Sequence, residues 1–132
     1  MATRSIISAR LENGDIITAY CHWDGATLLP ILEENYGSLE KARELISLGH
    51  MSSLGESIEC PEGHSFDTPV KGYSVFMYRD RFQGDPVKGK WSWYSPWVST
   101  SFDKARAMQP DAEYSYEFHG DKWHREKLEM KF

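Results

Sequence analysis

The sequence predicts an α+β fold: a mostly antiparallel sheet covered by helices on one face, in a single domain spanning residues 1–132. Three observations carry this expectation. Two alternating runs flank Asn13-Gly14 near the start, and a second alternating pair flanks Gly120-Asp121 near the end. Between them lie two segments of helical period, each stopped by glycine. Hairpins at both ends with helices between them are the pattern of an antiparallel sheet that buries one face against helices.

The first element is a hairpin, "SIISARLENGDIITAYCHW". Asn13-Gly14 suits a two-residue type I′ turn, because both central positions need positive φ. That turn pairs Leu11 with Ile16, Ala9 with Thr18 and Ile7 with Tyr20 on one face. Arg10 with Ile17, Ile6 with Cys21 and Arg4 with Trp23 fall on the other. Asp24 and Gly25 end the second strand, and Asp24 or Thr27 is the expected cap of the first helix.

"ATLLPILEENYG" places Leu28, Leu32 and Tyr36 on one helical stripe, with Pro30 tolerated in the first turn. Ser38 then caps "LEKARELISLG", which turns Leu39, Ala42, Leu45 and Ile46 inward and stops at Gly49. Residues 50–72 show no period and read as loop. "YSVFMYRD" reads as a buried strand. "RFQGDPVKGKWSWYSPW" reads as a long excursion or a pair of short strands. "STSFDKARAMQP" reads as a short helix capped by Ser99, Thr100 or Ser101 and ended before Pro110. The last hairpin pairs Phe118 with Trp123, Tyr116 with Arg125 and Tyr114 with Lys127.

Composition narrows the function. The net charge is −5, and the acidity is concentrated: residues 1–66 hold four Lys/Arg against ten Asp/Glu. Such a chain is a poor candidate for direct nucleic-acid binding, which depends on neutralising phosphates. No apolar run approaches the roughly 20 residues that span a bilayer, so no membrane partner is expected. The N-terminal residues lack a signal-peptide pattern, and the expected location is the cytoplasm. Two cysteines, Cys21 and Cys60, are too few for a disulfide scaffold and are expected as free thiols.

The chemistry-bearing residues fall into four groups. Cys21, His22, Cys60 and His64 are all zinc-ligand types, but Cys21 and His22 are strand neighbours and point to opposite faces. No metal and no cofactor is therefore expected. The same separation argues against a Cys21–His22 catalytic pair, whereas His22 and Asp24 are two apart and fit an oriented imidazole. Arg79 and Arg81 share a face if the strand continues. They could clamp a carboxylate or phosphate, or pair internally with the acidic half of the chain; the internal pairing is favoured. Trp91 and Trp93, with Trp97 beyond, are interface anchors or stacking platforms if exposed, and core if not. No phosphate-binding loop is present, since "GDPVKGK" lacks the required spacing.

Several strings resemble those of a group of small proteins encoded by bacteriophages and prophages. They are "MATRS", "NGDI", "YCHWDG", "ISLGHMSSLGE", "HSFD" and "YRDR", spread over roughly the first 85 residues. "YCHWDG" is the most specific of them. The chain departs from the group after "YRDR", where "FQGD" stands in place of a glycine and an acidic residue. The resemblance implies a phage accessory protein at work in a bacterial cytoplasm, a class that often acts by binding.

The expected function is therefore binding and inhibition of a bacterial host protein, such as a defence component, with no catalytic residues. The expected contact residues are His22, Trp23, Asp24, Arg79, Arg81, Trp91, Trp93 and Trp97. One alternative is sequestration of a nucleotide-like small molecule by Arg79, Arg81 and an aromatic platform. Another is a small hydrolase using His22 and Asp24. Whether residues 84–98 order only on binding stays open.

Overall fold

In the computed structural model, which describes residues 2–82 and 90–129, the chain builds one seven-stranded sheet and five helices. Strands β1 (Ser5–Arg10) and β2 (Ile16–Cys21) form the first hairpin, with Ile7 opposite Ala19 and Ala9 opposite Ile17. This register is one residue from the predicted one. The turn is wider than two residues: Leu11 N donates to Asp15 O at 2.8 Å, and Gly14 N donates to Leu11 O at 3.0 Å. Gly14 takes φ 90° and Asn13 does not leave the negative range. The loop is thus a type I turn closed by a left-handed glycine, the three-residue alternative to type I′. Because side chains alternate, the shift regroups the faces. Cys21 joins Ile7, Ala9, Ile17 and Ala19 in the core, and Ile6 moves opposite Tyr20.

The C-terminal hairpin, β6 (Tyr114–His119) and β7 (Lys122–Lys127), has the predicted register, with Phe118 opposite Trp123 and Tyr116 opposite Arg125. The two hairpins join through a parallel pairing of β1 with β6. The sheet is therefore mixed, in the order β4-β3-β2-β1-β6-β7. Its other edge comes from the segment expected as loop and from the expected buried strand. Strand β3 (Met51–Ser53) runs parallel to β2, and β4 (Val75–Phe76) pairs antiparallel with β3.

Helices α1 (Leu29–Asn35) and α2 (Leu39–Ser47) cover one sheet face. Leu28, Leu32, Tyr36, Ala42, Leu45 and Ile46 pack there on Tyr116, Phe118 and Trp123, so the predicted stripes are the ones buried. Ser38 caps α2 by accepting Lys41 N. Neither Asp24 nor Thr27 caps α1 through its side chain. Instead the buried Tyr116 hydroxyl donates to Gly25 O and accepts Leu28 N, serving both sides of the turn into the helix. Asp24 itself adopts φ 60°, and its contribution is the turn rather than a cap. Gly25 is fixed by closeness: a Cβ there would meet Thr3 O at 2.6 Å.

The segment "YSVFMYRD" departs most from expectation. After two strand residues it turns into a short helix, α3 (Arg79–Phe82). The buried Asp80 carboxylate accepts Phe76 N at 2.7 Å, which bends the chain back on itself. Helix α4 (Trp91–Tyr94), strand β5 (Trp97–Ser99) and helix α5 (Phe102–Ala107) come next. β5 pairs with the first half of β2, and Ser101 caps α5 by accepting Lys104 N. Residues 83–89 lie outside the described part, and so does that much of the 84–98 segment.

The sheet's second face is also covered, which corrects the expectation of helices on one side. Ser8, Thr18, Ser115 and Glu117 alternate with core residues and would suit a wet face, yet all four are buried. Helix α5 lies over them, and Arg106 clamps Glu117 through two hydrogen bonds of 2.7 Å. Among the described residues no helix is long and apolar enough to cross a membrane.

Candidate functional site

Two surfaces carry the residues that the sequence singles out. The first is α4. Its predicted extended form is replaced by a four-residue helix, so Trp91 and Trp93 do not share a strand face. Trp91 is 43% exposed and leans edge-on against Tyr78, with ring centres 5.2 Å apart. Trp93 is 66% exposed, with Lys90 Nζ 5.3 Å from its ring centre as its one cation–π partner among the described residues. The helix is anchored from below. Gly49 lies so close that a Cβ would meet Tyr94 O at 2.2 Å, and His50 N donates to the same oxygen at 2.8 Å. Two tryptophans are thus held out from a fixed base, with Val98 of β5, 61% exposed, as a further bare apolar side chain. Trp97 does not join them: it is half-buried against the His50 ring, 4.4 Å between centres.

The second surface is a cleft of about 520 Å³ at the end of β2. It is lined by His22 and Trp23, by Ser52 and Ser53 of β3, and by Phe66, Pro69, Val75 and Met77. His22 is oriented by Tyr20, whose hydroxyl lies 2.8 Å from Nδ1. Trp23 packs perpendicular to the imidazole, with centres 4.8 Å apart. Asp24 is exposed beside them and makes no hydrogen bond to His22, so the pair that the hydrolase alternative needs does not form.

The two arginines separate. Arg79 is spent internally, on the Asp80 carboxylate at 2.9 Å and on the carbonyls of Ile58 and Glu59. Arg79 is therefore paired internally, but with the carboxylate of its own neighbour and not with a carboxylate of the acidic first half, from which it takes only two backbone carbonyls. Arg81 is exposed and lies 5.2 Å from the centre of the Phe66 ring and 5.5 Å from that of Phe82. A short helix rather than a strand is what parts them.

Cys21, Cys60 and His64 do not gather with His22. Cys21 is buried with its thiol turned toward Trp23 O, and burial pushes its pKa up to about 12. It faces away from His22, as strand alternation requires. His64 is buried with Nδ1 accepting Val70 N at 2.9 Å and Nε2 against Ser74 O at 3.1 Å. Both nitrogens are used, which leaves none for a metal. Cys60 is exposed and its thiol is directed at His64 O, 3.7 Å away. Among the described residues no three His, Cys, Asp or Glu side chains converge on one point.

Sequence reasoning missed Tyr20, His50, Ser52, Ser53 and Phe66. The last four belong to a stretch with no period, and only the folded chain places them against β2. The "HSFD" string was the one available signal for Phe66. No known protein family, curated protein or solved structure matches this chain.

Proposed function

We propose that the protein is a non-enzymatic phage accessory protein that binds and inhibits a host protein in the bacterial cytoplasm, a defence component being the target class. The α4 surface is the contact. The observation that supports this reading is Trp93, which is 66% exposed on a helix pinned to Gly49 and His50. Exposing an indole to water is unfavourable by its apolar area, and aromatic residues held out in this way are typical anchors of binding hot spots. The acidic residues of the first half, including Glu33, Glu34, Glu40 and Glu44 on the outer sides of α1 and α2, suit a partner with basic surface nearby. A hydrolase has less support, because His22 is tied to Tyr20 and Cys21 is a buried, protonated thiol.

Parallel capture from bacterial lysate with the parent and with Trp93→Ala tests the reading. The expected outcome is a host protein recovered in near-equal amount to the bait by the parent and lost by the variant. Unfolding curves of the two should agree within about 0.5 kcal/mol, as for most surface substitutions. Equal recovery by both proteins would remove α4 as the contact.

A further inference from the structure

We propose that the cleft between β2, β3 and Phe66 is a second site, one that binds a nucleobase-bearing small molecule. This does not depend on the α4 surface. The cleft's volume, about 520 Å³, falls within the roughly 300–1,000 Å³ of small-molecule sites. Its lining combines two kinds of group. Trp23 and Phe66 offer aromatic surface, and Trp23 is still 45% exposed. His22, Ser52 and Ser53 offer hydrogen bonds that the protein itself does not use. Among the described residues no hydrogen bond engages either serine hydroxyl. The Tyr20 hydroxyl occupies Nδ1 of His22 and leaves Nε2 to a ligand. A flat ring with polar edges is the ligand class that uses stacking surface and edge-directed hydrogen bonds together.

Arg81 is not part of the lining, but it adds a charge next to a residue that is, Phe66. Its guanidinium is 5.2 Å from the centre of the Phe66 ring, and among the described residues no carboxylate forms an ion pair with it. Arg79, by contrast, has its donors committed to Asp80 and to backbone. A base held at Trp23 and Phe66 would therefore gain from carrying a phosphate, for which a guanidinium is the matched partner. The ligand class that joins the two is a nucleotide.

Calorimetric titration of the full chain with AMP, GMP, CMP, UMP and the four matching nucleosides tests this. The expected result is saturable one-to-one binding for at least one base, with its monophosphate about threefold or more tighter than its nucleoside. Trp23→Ala should weaken binding by about tenfold or more through loss of stacking. Arg81→Ala should erase the advantage of the phosphate. Both side chains are exposed, and both variants should unfold as the parent does. Ser53→Ala, a smaller change in the lining, should weaken binding by a measurable factor if Trp23→Ala proves unstable. No saturation by any of these compounds at millimolar concentration would overturn the proposal. So would binding that folded variants at Trp23 and Ser53 leave unchanged, or nucleosides that bind as tightly as their monophosphates.

Discussion

Along the outer edge of β2, Tyr20 falls between two neighbours, because β5 pairs up to Thr18 and β3 begins at Cys21. Its backbone N–H would be left unpaired in the gap, at a cost of about 1–3 kcal/mol if buried. His50 fills the gap: its Nδ1 accepts that N–H at 3.1 Å while the ring packs on Trp97. Only a neutral imidazole can accept, and burial lowers the His50 pKa from 6.5 to about 4. Between those values the unfolded chain binds a proton that the folded chain does not. Stability present above pH 6.5 is therefore lost as pH falls toward 4, by on the order of 3 kcal/mol from this residue. Denaturant unfolding at a series of pH values should show that decline. In His50→Gln, whose amide oxygen accepts without titrating, the slope between pH 6.5 and 5 should flatten. A parallel decline in parent and variant would show that other groups set the acid limit. Nothing in "SLGHMSS" foretells this role, since the gap it fills arises from two strands far apart in the chain.

At the scale of elements, local signals were legible and long-range ones were not. The Ser38 cap, the Gly49 stop, the α1 and α2 stripes and the register of β6 with β7 arise from patterns within about ten residues. The first hairpin shows the limit of that reasoning. Asn-Gly is compatible with two loop lengths, and the wider one was selected with Asn13 Oδ1 accepting Asp15 N at 3.0 Å. The helix α3 depended on a buried carboxylate, Asp80, that looked like one member of a charged string. Helix α5 covered a sheet face whose alternation suggested solvent, because polar residues can be buried once they are paired. There the Ser8 and Thr18 hydroxyls bond at 2.8 Å, and Ser115 Oγ donates to Glu117 Oε2 at 2.5 Å. Removing Arg106 would leave the Glu117 carboxylate buried with Ser115 as its remaining partner. Arg106→Ala should therefore cost about 3 kcal/mol, toward the lower end for breaking a buried pair, because the arginine is itself partly exposed. Glu117→Gln combined with Arg106→Ala should recover part of that loss. A cost near zero for Arg106→Ala would mean that α5 is held by apolar contacts alone.

For the whole molecule, the two surfaces flank α3. Tyr78 and Phe82 pack against Trp91 and Tyr94 of α4, while Arg81 lies over the Phe66 ring that walls the cleft. The candidate residues were legible as types: tryptophans flanked by Gly, Pro and Lys, and an aromatic and histidine cluster at the end of a strand. Their grouping was not, because Arg79 and Arg81 part only once residues 79–82 coil, and half of the cleft lining comes from a segment without a period. Docking of a partner protein on α4 can be tested with a photo-crosslinking amino acid. Placed at position 93 and, as a control, at exposed position 126 on β7 at the far edge of the sheet, it is activated in a bacterial lysate. The expected result is a discrete adduct with one host protein from position 93 and none from position 126. An adduct of the same protein from position 126 alone, or none from position 93 while the unaltered chain captures that protein, would contradict it.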